Sequence, residues 1–61
     1  MEIGVFNAYR GIVGTIGFID RKYHGKLENV NGLITYTANS VEELYDEFQK
    51  AVDEYLLALS N

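Results

Sequence analysis

No cysteine occurs anywhere in the chain, which excludes a disulfide staple and a thiolate metal site. A single histidine, His24, cannot build a metal site without carboxylate partners. There is no proline, and no repeat or low-complexity tract marks a linker, so one domain spanning 1–61 is expected. No run approaches the roughly 20 apolar residues of a membrane span. The segment Met1 to Asn7 has neither a basic start nor a sustained apolar stretch, so it does not read as a secretory signal, and a cytoplasmic protein is expected. Basic residues are scarce and scattered: five Lys and Arg face nine Asp and Glu, for a net charge of −4. Phosphate binding draws on clustered Lys and Arg, so a nucleic-acid binder is disfavoured.

What is present is enough for a core. Apolar residues make up 48% of the chain and aromatic residues 13%, which argues against disorder. A domain this short buries only about 60% of its unfolded surface, and small unstapled domains commonly gain stability by associating. A homodimer is therefore expected. The charge is unevenly placed. Residues 1–39 carry Arg10, Arg21, Lys22 and Lys26 against Glu2, Asp20 and Glu28, a balance of +1. Residues 40–61 carry Glu42, Glu43, Asp46, Glu47, Asp53 and Glu54 against Lys50, a balance of −5. Such an acidic half favours a basic protein partner.

The second half of the chain reads as a helix from 41 to about 59. Ser40-Val41-Glu42-Glu43 fits the capping box, in which the serine hydroxyl accepts from the Glu43 N–H and the Glu43 side chain reaches back. Acidic residues crowd the first two turns, where the helix dipole favours them. Val41, Leu44, Tyr45, Phe48, Val52, Tyr55, Leu56 and Leu59 then follow the i, i+3, i+4, i+7 spacing, with Ala51 at the edge of the stripe. The acidic residues fall on the opposite side. Leu57 falls near the centre of that polar side, where burial in the core gains it nothing.

The first half reads as strands. Tyr9 to Asp20 is rich in β-branched and aromatic residues, with Ile12, Gly14, Ile16 and Phe18 on one face. Asp20-Arg21-Lys22 suits a hairpin turn. Tyr23, Gly25 and Leu27 then alternate with Lys22, His24 and Lys26, giving a second strand with one wet face. Glu28 to Gly32 is a loop ending in the turn dipeptide Asn31-Gly32, and Leu33 to Ala38 is a third strand. Tyr36 opposes Thr35 and is read as an exposed residue. Met1 to Phe6 either extends the first strand or forms a separate edge strand. The expected fold is α+β: a three-stranded antiparallel sheet, β-β-β-α, with the amphipathic helix on one face.

Tyr9-Arg10-Gly11, Gly14-Thr15-Ile16, Tyr23-His24-Gly25-Lys26-Leu27, Gly32-Leu33-Ile34-Thr35-Tyr36, Ser40-Val41-Glu42-Glu43-Leu44 and Ala51-Val52-Asp53-Glu54-Tyr55-Leu56 occur in that order. The ordered set, over about residues 9–59, resembles the HicB-like antitoxins of bacterial toxin–antitoxin systems. The resemblance implies a partial RNase H-like fold without the nuclease site. It also implies a partner, a HicA-type toxin, which is a small basic mRNA-cleaving protein that the antitoxin neutralises by direct binding. Family members usually continue into a further strand, and many into a DNA-binding domain. This chain stops at Asn61, so DNA binding is not expected of it, and the missing strand is expected from Met1 to Phe6 or from a second subunit.

No catalytic residue, cofactor site or metal site is assigned, and an enzyme is not expected. Glu2, Asp20 and Glu28 are the only acids of the strand half, too dispersed for the converging carboxylates of a two-metal nuclease. His24 lacks a nearby nucleophile or orienting acid and reads as a solvent-facing strand residue. The candidate partner-binding residues are Glu43, Asp46, Glu47, Asp53, Glu54 and Leu57 of the helix, and an ordinary solvated helix face is an equally good reading of them. Two other functional readings stay open. One is an orphan dimeric module with no toxin partner. The other is weak RNA binding through Lys22, His24, Lys26 and Tyr36.

Overall fold

The computed structural model describes residues 2–60. Four strands precede one helix: β1 Glu2–Tyr9, β2 Ile12–Ile19, β3 Lys22–Lys26, β4 Thr35–Ala38 and α1 Val41–Leu59. The strands form one antiparallel meander in the order β1-β2-β3-β4. The α+β architecture and the helix span match the expectation from the sequence. The sheet has four strands where three were expected, because the N-terminal segment is a separate edge strand paired along β2; Met1 itself lies outside the described residues.

A turn divides the expected Tyr9 to Asp20 strand. Tyr9 pairs with Ile12, leaving Arg10 and Gly11 as a two-residue loop with φ of 54° and 85°. Positive φ at both positions is the type I′ geometry whose twist matches the flanking strands. The turn is hard to see in the sequence because arginine rarely takes this conformation and the glycine sits in a β-branched run. The second hairpin repeats the device: Ile19 pairs with Lys22, and Asp20 and Arg21 have φ of 52° and 64°. β4 begins at Thr35, so Leu33 and Ile34 belong to the preceding connection, and Leu33 is exposed.

One face of the sheet carries the core. Phe6, Ile12, Leu27 and Tyr36 meet Leu44, Phe48 and Val52, and these three helix residues have no exposed surface. Burying each such side chain contributes roughly 1.5–3 kcal/mol. Phe48 is the centre, with ring centroids 5.1 Å from Phe6, 5.8 Å from Tyr36 and 6.3 Å from Tyr9. Tyr36 is therefore a core residue and not an exposed one. Alternation in β4 places Tyr36 and Ala38 under the helix and Thr35 and Thr37 outside.

Glycines make room for this aromatic packing. Tyr36 pairs with Gly25, and its ring crosses that glycine to reach β2, where its hydroxyl donates to the Thr15 carbonyl at 2.8 Å. A Cβ on Gly25 would collide with the Thr15 carbonyl oxygen and stand 2.6 Å from Tyr36 Cε2. A Cβ on Gly14 would collide with the Tyr36 hydroxyl and stand 2.6 Å from Phe48 Cδ1. The β2–β3 ladder adapts beside them: the Lys26 N–H donates to Thr15 Oγ1 at 3.0 Å.

Ser40 caps α1 in extended geometry, φ −145° and ψ 162°. Its Oγ accepts from the Glu43 N–H at 3.1 Å, and its hydroxyl donates to Glu43 Oε1 at 3.3 Å. The reach-back of Glu43 thus goes to the serine side chain. The apolar stripe narrows at its ends. Val41 and Leu59 are exposed, because a 19-residue helix rises about 28 Å and overhangs the short strands β3 and β4, whereas Tyr45 is partly exposed but keeps its ring 5.2 Å from Phe6.

Candidate functional site

The helix surface carries all six residues singled out for partner binding, but they do not form one patch. At 100° per residue, Asp46 and Leu57 lie on the crest opposite the core. Leu57 is 64% exposed. Glu43 is engaged in the N-cap. Glu47 and Glu54 turn towards β4, where they line a shallow cleft with Thr35, Thr37, Lys50 and Ala51. Glu47 also accepts from Lys50 Nζ at 3.4 Å.

Asp53 departs furthest from the reading of the acids as pointing away from the sheet. Its carboxylate accepts from Arg10 Nη1 at 2.8 Å and from the Tyr9 hydroxyl at 3.1 Å, tying the helix to the β1–β2 turn. The hydrogen bond to the Asp53 carboxylate, with a smaller contribution from burial, raises the Tyr9 pKa. Arg10 and Asp53 are exposed and Tyr9 is half-buried, so the clamp aligns more than it stabilises. It links residues 43 and 44 positions apart, a separation at which no local sequence spacing gives a signal. The exposed residues left on the outer side of α1 are Glu42, Asp46, Lys50 and, at the rim of the β4 cleft, Glu54, with Leu57 towards the C-terminal end of the helix.

The open face of the sheet holds a second feature that sequence reasoning did not assemble. Glu2, Gly17 and His24 stand in one cross-strand row, with Gly17 between the two side chains. With Thr15, Gly25, Lys26 and Thr35 they line a depression of about 290 Å³. Gly17 gives the depression its floor, and Thr15 is only 5% exposed although it sits on this face. His24 Nε2 is buried without a hydrogen-bond partner, so His24 is not the solvent-facing residue that alternation suggested. A carboxylate, an imidazole and an ammonium meet here. Among the described residues no group of three or more His, Asp and Glu is placed to hold a metal ion. With Tyr36 turned into the core, the basic strand face also lacks the aromatic that base stacking would use.

Among the described residues no helix is long and apolar enough to cross a membrane. Comparison with protein-family models, with curated proteins and with solved structures found no significant match to this chain.

Proposed function

We propose that this chain is an antitoxin-like binding module that neutralises a HicA-type mRNA-cleaving toxin in the cytoplasm by direct contact and performs no chemistry of its own. The observation that carries this reading is the exposed outer side of α1, acidic at Glu42, Asp46 and Glu54 with Lys50 among them, and the exposed Leu57 beyond them towards the C-terminal end of the helix. Acids steer and orient a basic partner, and an exposed apolar side chain beside them is available for burial in the same contact. The ordered resemblance to HicB-like antitoxins supplies the kind of partner. On that resemblance the helix-covered meander is taken as a partial RNase H-like layer, with β1 in the place of the strand that family members add after the helix.

The test is an RNA-cleavage assay of a HicA-type toxin titrated with the purified chain. Inhibition that saturates at a fixed stoichiometry, and that is weakened by Asp46→Lys and by Leu57→Asp, supports the reading. A folded chain that leaves cleavage unchanged at saturating concentration rejects it.

A further inference from the structure

We propose that Asn31-Gly32, at the tip of the β3–β4 connection, is a self-modifying site: the Gly32 main-chain nitrogen closes on the Asn31 side chain, ammonia leaves, and the folded chain converts without an enzyme into a more acidic form. The binding reading of α1 makes no use of this dipeptide. The connection is closed at its base, where the Leu27 N–H donates to the Ile34 carbonyl at 2.9 Å, and residues 28–33 belong to no helix or strand. Asn31 and Gly32 are both exposed. The main-chain N–H of Asn31 donates to the Tyr55 hydroxyl at 3.3 Å, which holds the loop beside α1. Neither the Asn31 carboxamide nor the Gly32 N–H has a hydrogen-bond partner among the described residues. Gly32 has φ of 91°, and no side chain of its own obstructs ring closure at its nitrogen. The two reacting groups are thus adjacent, in water and unengaged.

Asparagine is a thermolabile residue, but the other described asparagines are held or crowded. Asn7 lies within β1. The Asn29 side chain donates to the Gly11 carbonyl at 3.4 Å, and the residue after it is Val30, whose β-branch stiffens the approach to its own nitrogen. Asn39 precedes Ser40, which carries a side chain and is fixed in extended geometry as the cap of α1. At Asn31, solvent base removes the Gly32 amide proton and the nitrogen attacks Asn31 Cγ. The N–Cγ bond forms, the Cγ–Nδ2 bond breaks, and Nδ2 leaves with a solvent proton as ammonia. One water then opens the resulting succinimide. Opening at the N–Cγ bond gives aspartate. Opening at the bond from this nitrogen to the Asn31 main-chain carbonyl carbon gives isoaspartate, whose main chain runs through Cβ and Cγ. Water is consumed, ammonia is released, and nothing is oxidised or reduced. Either product makes the net charge one unit more negative than −4, and isoaspartate lengthens the main chain of a loop tied to Tyr55.

Mass spectrometry of the full chain, incubated folded at mildly alkaline pH and then digested, tests this. The mass gain that separates a carboxylic acid from its amide is expected first at position 31, as both aspartate and isoaspartate. In water labelled with heavy oxygen, one labelled atom is expected in each product. The folded chain is expected to convert within a few-fold of the rate of the chain unfolded in guanidinium. Gly32→Ala is expected to slow conversion several-fold. Alanine is strained at this positive φ, so Asn31→Gln, which keeps the glycine and needs a larger ring to close, serves as the second variant and is expected to stay unmodified at position 31. Four results overturn the proposal: position 31 intact in the folded chain while the unfolded chain converts, a first conversion at Asn29 or Asn39, aspartate without isoaspartate, or conversion undiminished in either variant.

Discussion

Two residues that touch, Gly25 and Tyr36, show how closely this small core is specified. A tyrosine ring lying across a glycine on the neighbouring strand fills the gap that the glycine leaves, and its hydroxyl satisfies a carbonyl one strand further on. Gly25→Ala is expected to destabilise the chain by about 1–3 kcal/mol through overpacking. That is a large share of the roughly 3–9 kcal/mol expected for a domain of this size, and urea denaturation measures it. Burial also pushes the Tyr36 pKa up to about 12. A tyrosine whose folded pKa is raised contributes stability that is complete below its unfolded pKa near 10 and is lost as pH rises through the folded value. Stability should therefore fall between pH 10 and about 12, and denaturation midpoints across that window should decline less in Tyr36→Phe. Alternation placed Gly25 on the core face from sequence alone. It did not show that an aromatic from β4 would cross it, because that contact depends on a strand pairing 11 residues away.

Among the elements, the helix was legible and the first strand was not. Helix boundaries are written locally: Ser40 and Glu43 sit three residues apart, the acids follow in the first turn, and the 3.6-residue period runs for five turns. Ser40→Ala is expected to cost about 1 kcal/mol, whereas Ser40→Asp should retain most of the stability. Thermal or urea denaturation of the two variants separates these outcomes, and equal losses would mean that the cap contributes little. The split between β1 and β2 rests instead on Arg10-Gly11, where only one of two positive-φ residues is a glycine. Strand identity was readable from composition, but the turn that separates two strands depended on a conformation that arginine seldom takes. The ends of the helix stripe were misread for a different reason. Periodicity assigns a face to Val41 and Leu59 but carries no information on how far the covering sheet extends.

At the scale of the whole molecule the acidic half becomes one outer layer and the mildly basic half becomes the sheet beneath it. The sequence located the acids but not their division. Asp53 is taken up by Tyr9 and Arg10, Glu43 by the cap, and Glu47 and Glu54 lean towards β4. Asp46 and Leu57 are left exposed on the crest, 11 positions apart along the helix. The depression beneath Glu2 and His24 was invisible in the sequence, since Glu2 and His24 meet only through the pairing of three strands. The central claim is that the crest of α1 binds a basic toxin. Isothermal titration of a purified HicA-type toxin with the wild-type chain and with Asp46→Lys and Leu57→Asp tests it most directly. The account predicts saturable binding of the wild type that weakens with added salt and drops at least about tenfold in either variant. A folded wild type that releases no binding heat and does not co-migrate with the toxin, or an affinity that neither variant changes, would contradict it.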